Sequence, residues 1–178
     1  MKAAIASIAG LTLLALFSPA HAGKSETSCQ SSQYRQFDFF VGDWDAYSMD
    51  APSKSVARNH VSITLDGCVI REDYQQNDGL HGESFSLYDA AHNQWHQSWV
   101  TNRGDLLLLD GHLANGKMSF QGQHRTASGK PEIIRVTWAP AGRNVRETAL
   151  HSLDNGKTWQ PVFDILFKPH PSSQVEPW

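Results

Sequence analysis

Glu72, Gln97 and a pair of tryptophans are the residues whose types and spacing suit the holding of another molecule. Trp95, Gln97 and Trp99 share one face of a strand read over 94–101, because side chains alternate along extended backbone. Two indoles flanking an amide make an apolar slot with one hydrogen-bonding handle, which suits a small ligand. The same triplet also reads as core filling, with Gln97 satisfying a backbone group. Glu72 alternates with Cys68, Ile70 and Tyr74 on a strand read over 68–76. Facing inward, its carboxylate must find a partner, since an unpaired buried charge is costly. Arg135 and Arg146 are the candidate partners. Facing outward, Glu72 is a solubilising residue. An inward Glu72 beside an arginine is also a candidate acid/base group. The expected ligand-binding lining is therefore Trp95, Gln97, Trp99 and Phe85, with Glu72 and Arg146 as polar anchors.

Other chemistry-bearing residues point elsewhere. Eight histidines follow residue 22, scattered about one per element. His92 and His96 have the i, i+4 spacing of a helical metal pair but lack the intervening glutamate of a metalloprotease helix. They straddle a turn and a strand start, where the two rings are expected to stand apart. Asp38, Asp43 and Asp45 surround Trp44, too few oxygen donors for calcium. Asp38 reads as a helix cap and the other two as solvent-facing. Ser152, Asp154, Gly156, Thr158 and Trp159 have the pattern of an Asp-box, in which Asp154 accepts backbone N–H groups and Trp159 packs under a hairpin. It occurs once here, so it reads as turn architecture. Phosphate-binding, dinucleotide and nucleophile-elbow motifs are absent from the sequence. No catalytic residue, metal site or cofactor is expected.

Length and composition set the bounds. Residues 1–22 read as a secretory signal peptide: Lys2, then an apolar run from Ala3 to Phe17, then Ala20-His21-Ala22 at the cleavage positions. The run is too short to span a bilayer. The expected location is the periplasm or the outside, with no membrane insertion. About 150 residues then remain, enough for one domain with its own core. The whole chain has 15 basic and 18 acidic residues, a net charge of −3, with both signs interspersed. Tight sequence-independent nucleic-acid binding is not expected from that balance. The two cysteines, Cys29 and Cys68, are expected to form a disulfide in an oxidising compartment. Such a bridge would pin the N-terminal arm to the body of the domain.

The elements that must position these residues are short and alternating. Residues 23–36 read as an N-terminal arm, 37–168 as the main domain and 169–178 as a tail. Tyr34, Phe37 and Phe40 recur at three-residue spacing, which suits one or two helical turns plugging the end of a barrel. Strands are then predicted near 43–49, 55–65, 68–76, 80–88, 94–101, 105–111, 117–125, 132–139, 145–151 and 158–168. Between them stand Asp66-Gly67, Asn77-Asp78-Gly79, Asn102-Arg103-Gly104, Asn115-Gly116, Ser128-Gly129, Ala141-Gly142 and Asn155-Gly156. Such residues tolerate the positive φ angles of tight hairpin turns. Sequential hairpins of about ten strands curl into an antiparallel up-and-down barrel or a flattened sandwich.

Phe37-Asp38-Phe39-Phe40-Val41-Gly42-Asp43-Trp44-Asp45 resembles the start of secreted bacterial lipocalin-like proteins of the calycin superfamily. The likeness continues through Asp66–Glu72, Gly82–Asp89, Trp95–Val100 and Ser152–Trp159. The resemblance implies an all-β lipocalin-like barrel in which Gly42 and Trp44 are structural. It also implies a basic residue from the last strands packed over Trp44, for which Arg146 is the candidate. Calycins carry varied small molecules and include a few enzymes, so fold alone does not choose a function. The leading expectation is a non-enzymatic barrel that binds a small, partly apolar molecule. A cyclase- or isomerase-type enzyme using Glu72 as base, and a ligand-free envelope protein, are the alternatives.

Overall fold

The turn residues dictate the topology. Asn115 and Gly116 adopt φ angles of 51° and 71°, so the chain reverses within two residues and adjacent strands must pair. Repeated ten times around, this pairing closes on itself in the computed structural model, which describes residues 29–126 and 128–171. The expected leader, the first six residues of the arm and the end of the tail lie outside the described residues. The strands are β1 (Gly42–Ser48), β2 (Ala57–Thr64), β3 (Val69–Gln76), β4 (His81–Asp89) and β5 (Gln94–Thr101). They continue as β6 (Leu106–Ala114), β7 (Lys117–Arg125), β8 (Pro131–Ala141), β9 (Asn144–Ser152) and β10 (Gln160–Pro169). Every neighbouring pair is antiparallel, and β1 pairs with β10 to seal the wall from Trp44↔Pro169 to Ser48↔Ile165. The protein is a closed ten-stranded antiparallel β-barrel. Among the described residues no helix is long and apolar enough to cross a membrane.

One end is plugged. Two 3₁₀ turns, Ser32–Arg35 and Asp38–Phe40, lie under the barrel. Phe37 and Phe40 point up into it and are 0% and 1% exposed. The Phe37 ring meets Trp95, Phe120 and Trp138 at centroid distances of 6.0, 5.9 and 5.5 Å, and Phe40 meets Phe167 at 5.2 Å. Offset and edge-on contacts of this kind add to the apolar burial of each ring. The plug is anchored by the Cys29–Cys68 disulfide, a hydrogen bond from Arg35 to the Gly67 carbonyl, and Trp95 Nε1 donating to Gln36 at 3.0 Å.

Trp44 explains its glycine. Its indole folds back so far that a side chain at Gly42 would lie 3.0 Å from the ring, and Nε1 donates to the Phe40 carbonyl at 2.9 Å. The expected arginine partner is not there. Arg146 stands on the outer surface and pairs with Asp164 on β10. Asp38 also departs from expectation. It caps nothing, faces Arg35 at 3.4 Å, and burial raises its carboxyl above the usual range.

The Asp-box residues brace the β9–β10 hairpin. Asp154 accepts the Thr158 N–H at 2.9 Å and its hydroxyl at 2.6 Å, while Ser152 donates to Asp154 at 2.8 Å. These bonds hold the Asp154 carboxyl down at about 2. Trp159 Nε1 closes the turn on the Gly156 carbonyl, and the Arg135 guanidinium lies 4.0 Å over its ring. Arg135, the other proposed partner of Glu72, is therefore also outside.

A candidate ligand cavity at the open end

Above the plug the barrel is hollow. A cavity of about 290 Å³ lies toward the end that the 3₁₀ turns leave uncovered. Ligand sites typically span ~300–1,000 Å³, so this one suits a compact guest. Its wall is largely apolar: Leu107, Leu109, Ile134, Val136, Phe163 and Ile165, with Trp99, Trp138 and Tyr74 as aromatic surfaces. Gln76 and Leu80 stand at the rim.

The face alternation places 95, 97 and 99 inside, as the sequence suggests, but at three different depths. Trp95, 2% exposed, belongs to the plugged core. Gln97 lies at the boundary and Trp99 on the cavity wall. Gly82 on β4 holds Trp99 there: a Cβ at Gly82 would fall 2.2 Å from the ring, so only a glycine admits the indole against the backbone. Tyr74 meets Trp99 edge-on at 6.0 Å. Phe85 is not part of this lining. It has the opposite parity to Ser84 and Ser86 and is 41% exposed on the outer face.

Glu72 faces inward and is 5% exposed. Its partners are neutral. Asn59 Nδ2 donates to one carboxyl oxygen and Ser84 Oγ to the other, both at 2.8 Å. Gln97 Nε2 donates to Ser86 at 3.1 Å and to Ser84 at 3.5 Å, extending a polar floor across β2, β3, β4 and β5. Gln97 thus serves this network rather than a backbone group. Asn59 Oδ1 and Trp138 Nε1 are buried without a partner among the described residues.

The sequence reading missed Glu147. It alternates with Val145 and Ala149 on the inner face of β9 and is the register neighbour of Trp138 on β8. The signal was present in the pattern Val145-x-Glu147-x-Ala149, but choosing Arg146 as the inward residue inverted the parity of β9. An arginine keeps its charge in water at little cost, and Arg146 does so beside Asp164. Glu147 lines the same cavity as Glu72. Burial, and then the charge of Glu72, raises the Glu147 carboxyl well above the usual range. Burial raises Glu72 as well, while the Ser84 and Asn59 hydrogen bonds oppose the rise. The two carboxyls thus compete for ionisation, and Glu72, with hydrogen bonds from Ser84 and Asn59 that Glu147 lacks, keeps the charge more readily. Burial, and then Glu147 and Glu72, also raise the Tyr74 phenol.

Most of the described histidines lie on the exterior against carboxylates. His60 faces Asp43 and His96 faces Asp110, each at 2.6 Å, and His124 and His151 share Glu132. His92 and His96 are not kept apart: both turn to Asp89, at 2.6 and 3.7 Å. Asp73, His81 and Glu83 form an outer cluster close enough to ligate a cation, but Arg71 already lies 3.0 Å from Glu83 and 3.8 Å from Asp73.

Compared with known proteins, the chain matches no family model, and no curated protein matches it. The barrel and its cavity carry the functional argument alone.

Proposed function

We propose that this protein is a lipocalin-like carrier of the periplasm or extracellular space that binds a small, partly apolar molecule within its barrel. The observation that supports this most is the contrast inside one wall. Aromatic rings fill the plugged end, whereas the same inward parity above it surrounds about 290 Å³ bounded by Trp99, Tyr74, Ile134 and Ile165. A protein interior is normally close-packed, so a hollow with a polar floor at one side has the form of a binding site. Trp99, Gln97 and Glu72 are the proposed contacts from the initial lining, joined by Glu147 and Tyr74. The N-terminal leader pattern and the Cys29–Cys68 disulfide support the extracytoplasmic location.

The isomerase-type reading, with Glu72 as base and Arg146 stabilising negative charge, loses its cation, because Arg146 pairs with Asp164 on the outside. Mass spectrometry of small molecules released by denaturing the natively purified protein tests the carrier reading. A stoichiometric molecule supports it. Its persistent absence, with no binding from a broad panel of small apolar compounds, overturns it.

A further inference from the structure

Two acids without a base define the cavity's charge. Its titratable groups among the described residues are Glu72, Tyr74 and Glu147, and no lysine, arginine or histidine lines it. Glu72 is met only by neutral donors, Asn59 and Ser84. Glu147 has neither a hydrogen bond nor an ion pair with any described residue, although it faces a hollow walled largely by hydrocarbon and aromatic rings. Buried carboxyls are normally retained with a compensating group, because removing charge from water is costly. The chain had a cation at hand. Arg146 directly precedes Glu147, yet its guanidinium lies outside on Asp164.

Resting on the carrier reading, we propose that the guest is a small apolar amine in its ammonium form, held with its cationic head toward Glu72 and Glu147. The ammonium supplies the positive charge that the wall lacks. Its hydrogen-bond donors match carboxylate acceptors, and the faces of Trp99, Trp138 and Tyr74 attract a desolvated cation through their ring quadrupoles. The apolar body lies against Ile134, Leu107 and Phe163, whose side chains offer no hydrogen bond to a second polar group. The volume restricts that body to about one ring or a short alkyl chain. An anionic guest would be repelled by the carboxylate charge the pair carries, and a neutral one would leave that charge unmet.

Calorimetric titration of the purified protein at pH 7 with 2-phenylethylamine, 2-phenylethanol and 3-phenylpropanoate tests the assignment. These probes share one ring and differ in the charge of the head. The expected result is that the amine binds at least tenfold more tightly than the alcohol and that the propanoate does not bind. Glu147→Gln and Glu72→Gln should each weaken the amine at least tenfold and leave the alcohol within about twofold. Thermal unfolding of both variants verifies that they remain folded, and either one alone suffices for the comparison. Equal or tighter binding of the alcohol or propanoate overturns the ammonium assignment while leaving the carrier reading intact. Binding of none of the three also overturns it, and the carrier reading then stands or falls on the molecule extracted from the native protein.

Discussion

The plugged and open ends of this barrel are built by the same strands and the same alternation, yet they solve opposite problems. At the plugged end Phe37 and Phe40 enter from below and fill the space between Trp95, Phe120, Trp138 and Phe167. At the open end no element among the described residues enters, and the wall residues surround a void with Glu72 and Glu147 in it. Stability therefore concentrates where rings interlock, and the capacity to bind concentrates a few residues further along the same strands. β5 shows the division within one face: Trp95 below, Gln97 at the boundary and Trp99 above.

Truncating each end should separate these roles most strongly. Phe37→Ala removes a fully buried ring and should cost about 3–5 kcal/mol in urea unfolding. Trp99→Ala, which enlarges a space already hollow, should cost clearly less while abolishing guest binding. Equal losses would mean that the two ends are one continuous core. A milder test acts on the contact that holds Trp99 aside. Gly82→Ala would place a Cβ 2.2 Å from its ring. Overpacking of this kind costs about 1–3 kcal/mol, and the displaced indole should occupy the cavity and block binding without disturbing Trp95. Unchanged binding in that variant would contradict the proposed position of Trp99.

The acids distinguish the ends by pH. Glu72 and Glu147 both have folded-state values raised by burial, so the native barrel holds protons that the unfolded chain releases. Their stabilising protonation is present below the ordinary carboxyl range and is lost as pH rises through the raised values. Each unit of upward shift corresponds to about 1.4 kcal/mol of stability lost across that window. Glu147→Gln should flatten this decline and raise stability at neutral pH. Chemical unfolding followed from pH 4 to pH 8 gives the slope; a variant with the wild-type slope would show that Glu147 titrates normally.

Much of this architecture is legible in the sequence. Period-two alternation and the Asn-Gly, Asp-Gly and Ser-Gly turns locate all ten strands, because each is a local constraint on backbone angle or face. The spacing of Tyr34, Phe37 and Phe40 likewise reveals the plug. How far that plug reaches is a tertiary property, so nothing local separates core Trp95 from cavity Trp99. Charge misleads in a different way. Arg146 and Glu147 are adjacent, only one can face inward, and the alternation of Val145 with Ala149 decides against the arginine. Phe85 fails through the opposite prejudice: its aromatic ring suggests the interior, but the inward positions of β4 belong to Ser84 and Ser86, whose small side chains leave room for Gln97.

The most direct test is nuclear magnetic resonance of the indole N–H signals during titration with 2-phenylethylamine. Occupation of the open end predicts a large saturable shift at Trp99, with the signals of Trp44 and Trp95 unmoved. Movement at Trp44 or Trp95 with Trp99 unchanged at saturation would contradict it.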